Sequence, residues 1–242
     1  MLFKAIVCAS VVAATSASAL ANDLPDASPL LFFKAGGVET FHTALGTIAG
    51  PGGSASALFA PNAVITVATT PGNRYDASLN YSFRLNGPAD TIVPLIAYAR
   101  ISVAKDAGFG RVVAGLNIHN GFSYVASKSF ELGNADGAAT AGFTGGMTFA
   151  GHTGATGEFN LFAMANSWSM IASAFVDPYL TVDPAYALID PNYATKYSFS
   201  FSQGAGNVAP SGIPEPESWA LMIAGFSMIG VSMRRRSRTV AA

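Results

Sequence analysis

The chain is long enough for one domain with a sizeable core, and it has few charges: of its 242 residues 11% are charged and 50% are hydrophobic, with a formal net charge of -1 at pH 7. Residues 22–213 contain eight Lys or Arg and twelve Asp or Glu, and this mild acidity argues against nucleic acid or an anionic membrane surface as a partner of the body. Low charge with many small and aromatic residues is more typical of an extracellular β-protein than of a cytosolic enzyme.

The first 21 residues have the three parts of a secretory signal peptide. Lys4 precedes a short apolar stretch, and small residues then lead to the end of the segment. We predict cleavage after Ala21, with a cut after Ala19 as the alternative. The single cysteine, Cys8, lies inside this segment. The mature chain is therefore expected to depend on a packed core rather than on disulfides.

Residues 22–207 are predicted to form one mainly β domain. Tyr81, Phe83 and Leu85 alternate with polar residues, and aromatic residues alternate with serines over residues 197–202. A period of two with aromatic residues on one side is typical of a half-buried strand.

Further strands and turns follow along the domain. Strands are predicted over residues 30–35, 64–67, 92–103, 111–118, 122–125, 127–132, 147–149, 159–165 and 170–176. Turns rich in Gly, Pro or Asn are predicted at residues 51–53, 71–73, 86–88, 134–137, 145–146 and 151–157. This spacing predicts a single antiparallel β-sandwich of jelly-roll type. Residues 161–174 are apolar enough to suit a helix as well, but the neighbouring strands and a possible turn at residues 167–169 favour strand.

Three Asp-Pro steps within the domain are weak candidates for a calcium site. Asp177, Asp183 and Asp190 each precede a proline. Carboxylates from neighbouring loops could together supply the oxygen ligands that Ca²⁺ prefers. The alternative is that each aspartate starts a turn by bonding nearby backbone N–H groups, and we favour it because the spacing matches no EF-hand or acidic repeat.

No pattern in the body indicates catalysis. His42, His119 and His152 stand alone, without the spacing of a zinc site. The sequence contains neither a Gly-x-Ser-x-Gly elbow nor a phosphate-binding loop. Glu131 and Glu158 could approach other carboxylates in a sandwich, but no pair is evident from the sequence. We therefore predict no catalytic residue, no metal and no cofactor.

The C-terminal segment has the composition of a short membrane anchor. A helix over the uncharged residues 219–233 would be about 22 Å long, which is less than the roughly 30 Å of a hydrocarbon core. Trp219 suits the headgroup level on one side. A basic cluster suits the cytoplasm on the other side, and it consists of Arg234, Arg235, Arg236 and Arg238. We predict a transmembrane helix and basic tail over residues 219–242, preceded by a linker over residues 208–218.

The linker holds a motif that a plain anchor does not explain. Pro214, Glu215 and Pro216 form an extended segment, and Trp219 and Ala220 follow at fixed spacing. This combination resembles the PEP-CTERM sorting signal in its PEPxxWA variant. The resemblance implies export in a Gram-negative bacterium, an inner-membrane-anchored precursor, recognition and cleavage by a membrane-embedded exosortase, and delivery to the outer surface or the extracellular matrix.

The resemblance leaves the role of the mature domain open. We expect a structural or adhesive, non-enzymatic component of an exopolysaccharide matrix or biofilm. A carbohydrate-binding module is the first alternative, with Trp168, Tyr179 and Tyr193 as the aromatic residues to inspect. A secreted hydrolase with two close carboxylates is the second.

Overall fold

The structure is a computed structural model that describes residues 23–59, 61–120 and 123–208. Within these ranges thirteen strands form two antiparallel sheets. In chain order they are β1 (Ser28–Ala35), β2 (Val38–His42), β3 (Gly46–Gly50), β4 (Gly53–Leu58), β5 (Val64–Thr69), β6 (Arg74–Asn86), β7 (Ile92–Lys105), β8 (Gly110–Asn120), β9 (Ser123–Leu132), β10 (Ala139–His152), β11 (Thr156–Ser167), β12 (Ala172–Val182) and β13 (Ser198–Phe201).

The order of the strands confirms the predicted antiparallel sandwich. The first sheet runs β2-β1-β6-β11-β8-β9, with β13 on the same edge of β6 as β1, and the second runs β10-β7-β12-β5-β4-β3. From β5 to β12 every connection crosses between the sheets except the one from β8 to β9. The two sets β5-β12-β7-β10 and β6-β11-β8-β9 therefore have the double Greek-key connectivity of an eight-stranded jelly roll.

The core lies between the sheets and follows the period-two pattern of the sequence. Tyr81, Phe83 and Leu85 are all buried on the inner face of β6. Phe159 of β11 packs between the first two, with ring centroids 5.2 Å from Tyr81 and 5.0 Å from Phe83. Full burial of one such side chain contributes roughly 1.5–3 kcal/mol, so this aromatic group fixes which faces of β6 and β11 turn inward.

The strand prediction was wrong at two places, where it expected an interruption and the structure has one continuous strand. Gly145 and Gly146 lie inside β10 rather than in a turn. A Cβ at Gly146 would lie 2.6 Å from Ile96 Cγ2 and 3.2 Å from Tyr98 Cε1, so the glycine gives room to side chains of the adjacent β7. The two short strands predicted around Ala126 are one strand, β9, and a register shift opposite Ile118 breaks its alternation.

Several elements were not predicted at all. Strands β2, β3 and β4 are short, and β4 is made largely of Gly, Ala and Ser. A 3-10 helix, Pro184–Leu188, and a four-residue helix α1, Tyr193–Lys196, follow β12. These short pieces carry too few periodic residues to be found by alternation.

Both terminal signals lie outside the described residues: the predicted signal peptide, most of the linker, and the transmembrane helix with its basic tail. Among the residues that the structure does describe, no helix has the length and apolar character needed to cross a membrane.

Candidate functional site

The segment after β13 fastens the end of the domain to its beginning. Ser202 Oγ donates to the carbonyl of Pro25 at 2.6 Å and accepts a hydrogen bond from the backbone N–H of Ser82 at 2.8 Å. The N–H of Gly206 donates to the carbonyl of Phe59 at 3.1 Å. A Cβ at Gly206 would collide with the carbonyl oxygen of Pro61, so only glycine fits this approach.

Two asparagines hold the last described residues against β12. Asn207 donates to the carbonyl of Leu180 and accepts from its N–H, both at 2.8 Å, as a neighbouring strand would. Asn62 Oδ1 accepts from the N–H of Val208 at 2.7 Å, and its Nδ2 donates to Asp177 Oδ1 at 3.1 Å. The chain is thus fixed to the domain as far as Val208, six residues before Pro214.

An open cleft of about 490 Å³ lies at the loop end of the sandwich that contains the β11–β12 turn. Trp168 stands at this turn with 77% of its surface exposed, and its backbone N–H donates to the carbonyl of Phe109 at 3.0 Å. The remaining lining comes from the residues next to Trp168 and from two other segments, and consists of Asn166, Ser167, Lys34, Gly36, Gly37, Gly72, Asn73 and Arg74. A cleft of this size with one large aromatic side chain and several amides suits a small polar ligand.

Both cations of the cleft are paired with carboxylates. Lys34 Nζ lies 2.8 Å from Glu39 Oε1, and this hydrogen bond lowers the pKa of Glu39. Arg74 donates to Asp76 at 3.0 Å from Nε, yet burial is the larger effect on the carboxyl and raises the pKa of Asp76. The guanidinium also lies 5.2 Å from the centroid of the Phe32 ring. Because its two cations are already paired with carboxylates, the cleft suits an uncharged ligand better than a polyanion.

The three candidate calcium ligands have separate local roles. Asp183 accepts from the N–H of Ala185 at 2.8 Å at the start of the 3-10 helix, and Asp190 pairs with Lys196 at 2.7 Å. Asp177 bonds Asn62 from within β12, so the turn predicted there was wrong. No group of three or more His, Cys, Asp or Glu that could hold a metal ion occurs in the part of the chain that the structure describes.

The three aromatic residues singled out in the sequence do not converge. Tyr179 stacks on Tyr98 across β12 and β7, with centroids 6.4 Å apart. Tyr193 follows β12 and packs edge-on against Tyr186, whereas Trp168 precedes β12. Only Trp168 lines the cleft, and its partners there were not predicted because they come from distant turns.

Of the other acidic and histidine candidates, Glu158 and His119 lie opposite each other in the register of β11 and β8, and the rest stay apart. Glu131 of β9 pairs with Arg111 at 2.6 Å. Glu158 is exposed on β11. The ring of His119 lies 4.1 Å from that of Tyr124, while His42 and His152 are exposed on other strands.

A row of amides crosses the outer face of the first sheet. Ser127 donates to Asn117 at 2.8 Å, and Asn117 donates to Asn160 at 3.1 Å. Asn160 in turn donates to Asn80. The row joins β9, β8, β11 and β6 at one level of the sheet, and it was not predicted because its members are far apart along the chain.

The predicted sorting and cleavage residues fall outside the described ranges. They are Ala19 and Ala21 at the signal peptide, Pro214, Glu215, Pro216, Trp219 and Ala220 in the motif, and Arg234, Arg235, Arg236 and Arg238 in the basic cluster. Their roles stay predictions.

Comparison with solved structures gives weak likenesses only. A CBM4 structure is 15% identical over 50% of this chain and 84% of its own, with a TM-score of 0.27. TmCBM61 in complex with beta-1,4-galactotriose is 12% identical over 49% of this chain and 71% of its own, with a TM-score of 0.25. The enzymatically active domain of bacteriophage CBA120 tailspike protein 4 is 9% identical over 58% of this chain and 19% of its own, with a TM-score of 0.28.

The comparison with sequence families is specific to the C-terminal segment. No curated protein matches the chain. Residues 212–236 match the family model described as the PEP-CTERM protein-sorting motif, which implies an exported protein that is membrane-anchored before processing. The match confirms the resemblance predicted from Pro214, Glu215, Pro216, Trp219 and Ala220: this chain carries a PEP-CTERM sorting signal, consistent with an exosortase substrate.

Proposed function

We propose that an exosortase binds the Pro-Glu-Pro segment of this chain, cuts the membrane-anchored precursor near it, and releases a non-catalytic domain to the outer surface or the extracellular matrix. In this role Pro214, Glu215 and Pro216 form the recognised strand, and Trp219 anchors the precursor at the membrane interface. The mature domain is a structural or adhesive component of an exopolysaccharide matrix or biofilm.

The observation that carries this proposal is the matched motif together with the place where it starts. The motif begins at residue 212, four residues after Val208. Even if fully extended, the six residues from Val208 to Pro214 would span at most roughly 20 Å. An enzyme that binds the Pro-Glu-Pro segment therefore works close to a domain whose last described residues are fixed by hydrogen bonds.

Alanine substitution of the motif tests the sorting step. The triple variant Pro214→Ala, Glu215→Ala and Pro216→Ala should accumulate as an uncleaved, membrane-bound precursor, because the protease loses its extended recognition segment. The measurement is the fraction of cleaved protein in membrane and medium by immunoblot. Pro210→Ala, which lies outside the matched motif, is the control and should be processed normally. Normal cleavage of the triple variant would contradict the proposal.

The cleft at Trp168 favours glycan binding as a second candidate function. The exposed indole offers a flat apolar face against which a sugar ring can stack, and Asn166 supplies an amide beside it, whereas Asn73 Nδ2 donates within its own turn to the carbonyl of Pro71 at 3.1 Å. The nearby cations are each paired with a carboxylate. The arrangement therefore favours a neutral polysaccharide.

Trp168→Ala tests this second candidate. Retardation of the protein in gels that contain a neutral polysaccharide should weaken about tenfold or more, because central aromatic contacts carry much of the energy of such sites. Tyr124→Ala removes an aromatic side chain of similar exposure, 67%, at another place and should bind as the wild type does. Equal retardation of the wild type and Trp168→Ala would contradict glycan binding at the cleft.

A further inference from the structure

Strand β10 differs from every other sheet edge in the described residues. The edge strands β2, β3 and β13 have five residues or fewer. The edge strand β9 carries Lys128 and Glu131 and has a register shift. Such short lengths, charges and bulges keep sheet edges from pairing with other chains. β10 has fourteen residues without a charged Asp, Glu, Lys or Arg and without a proline.

On its side away from β7, β10 has no paired strand in the described residues, although β9 packs nearby through the contact of Lys128 with Phe143. Its fourteen residues pair with β7 in one unbroken register. Within the described ranges no strand pairs with its opposite side, so alternate N–H and C=O groups there have no ladder partner. Phe143, Met147 and Phe149 point toward the core but are only half-buried. A further strand beside β10 would cover both the backbone groups and these side chains.

The sequence of β10 suits a second copy of itself as that strand. Around Gly146 the strand is nearly palindromic, so that antiparallel pairing centred there places Thr144 opposite Thr148 and Phe143 opposite Phe149. Like pairs of threonine and of aromatic residues are favourable across antiparallel strands. No pair in this register brings two charges together, because the strand carries none of the four charged residue types.

We propose that the open edge of β10 is a self-association surface, at which β10 of one copy pairs antiparallel with β10 of a second copy about Gly146. The pairing joins the two second sheets into one continuous sheet and gives a two-fold dimer, in which each copy presents the same surface. The inference goes beyond the proposed sorting and is independent of it, since a chain that is never cleaved has the same edge.

Lys128 of β9 borders this surface. Its ammonium lies 5.2 Å from the centroid of the Phe143 ring and 5.6 Å from that of Phe130. The long side chain can keep these contacts while its charge remains in water. The opposing Phe149 then packs on the side of Phe143 that Lys128 leaves open.

Disulfide cross-linking tests the register of the pair. The full-length chain with Cys8→Ala, purified in mild detergent, is combined with either Thr144→Cys or Thr148→Cys. Directly opposite residues have Cα atoms about 4.5–5.5 Å apart, within the range of a disulfide. An equimolar mixture of the two variants should form a covalent dimer under mild oxidation.

Each variant alone should not cross-link. Identical positions lie about 13 Å apart along the strands in this register, too far for a disulfide. A mixture that gives no more dimer than the separate variants would overturn the proposal. Efficient cross-linking of Thr144→Cys alone would overturn the register about Gly146.

A charge on the edge provides a second test by sedimentation. Thr144→Lys places a charge on the exposed side of β10 and should shift the full-length protein from dimer to monomer. Thr47→Lys makes the same change at an exposed position of β3, the opposite edge of the same sheet, and should leave the dimer intact. A wild type that is monomeric at every concentration, or a Thr144→Lys variant as dimeric as the wild type, would overturn self-association through β10.

Discussion

A buried ammonium holds two turns of the sandwich together. Lys105 at the end of β7 has 5% of its surface exposed. Its Nζ donates to the carbonyl oxygens of Gly133 at 2.7 Å, Asp136 at 2.6 Å and Gly108 at 3.3 Å. The lysine thus uses its three N–H donors on the β7–β8 and β9–β10 turns, and it satisfies carbonyls that few other side chains could reach.

Replacement of Lys105 should lower the free energy of unfolding more than replacement of an exposed lysine does. Lys105→Met keeps the apolar stem but leaves the carbonyls of Gly108 and Asp136 without the ammonium, while that of Gly133 keeps the backbone N–H of Asp136, and we expect a loss of about 2 kcal/mol in the free energy of unfolding. Urea denaturation measures the change. The control Lys34→Met removes only a surface ion pair and should cost at most about 1 kcal/mol. Equal effects of the two substitutions would contradict the role of Lys105.

At the scale of elements, β12 and residues 202–208, which we call the exit segment, form one unit. β5 pairs with β12 only as far as Val176. Beyond it, Pro178 has no N–H to offer a neighbour, and Asn207 bonds the main chain of Leu180 in the place of a strand. An Asp-Pro step therefore fits within β12, although the sequence pattern predicted a turn at Asp177.

Asn207→Ala should loosen the exit without unfolding the sandwich. The buried N–H and C=O of Leu180 lose their partners, which we expect to cost about 1–3 kcal/mol, and residues 202–208 should become accessible to protease first. Limited proteolysis followed by mass spectrometry locates the cut. Asn192→Ala is the control, because the Asn192 side chain makes no capping hydrogen bond. Identical digestion of both variants and the wild type would contradict this role of Asn207.

The alternation of apolar and polar residues identified the long strands, because every second side chain of such a strand packs into the core and must be apolar. It failed at β10, where glycines that resemble a turn instead give space to Tyr98. It failed again at β9, where the register shift opposite Ile118 interrupts the pattern. The self-pairing edge could be recognised only once β10 was seen as one strand, since Gly146 then becomes its centre.

At the scale of the whole molecule, stability depends on pH through carboxyl groups with opposite environments. Burial raises the pKa of Asp177, although Asn62 and Arg100 act against it. The hydrogen bond from Lys196 lowers the pKa of Asp190. A raised pKa contributes stability below the unfolded value that is lost as pH rises through the folded value, and a lowered pKa does the reverse.

Two isosteric substitutions should therefore respond to pH with opposite sign. Between about pH 3 and about pH 7 the melting temperature of Asp177→Asn should rise relative to that of the wild type, because the variant avoids burial of a charge. The melting temperature of Asp190→Asn should fall relative to that of the wild type over the same range, because the variant lacks the ion pair with Lys196. Thermal unfolding at several pH values measures both, and parallel curves for the two variants would contradict these assignments.

The whole-molecule arrangement also limits what the sequence could reveal about sites. Trp168 was singled out as an exposed aromatic residue, but the cleft beside it is assembled from turns that the jelly-roll connectivity brings to one end. Lys34, Asn73 and Asn166 carry no local signal of that meeting. The sorting motif was found without a structure because its residues are adjacent in the sequence.

The bond between Ser202 and Pro25 has a consequence for the timing of maturation. Together with the 2.7 Å ion pair between Arg84 and Asp23, it places the first and last described segments of the domain side by side along β6. A domain whose first and last described segments are joined in this way can complete its folding while the chain on both sides of it is held at one membrane. If the predicted signal peptide and the predicted anchor are both present in the precursor, their removal can then follow in either order.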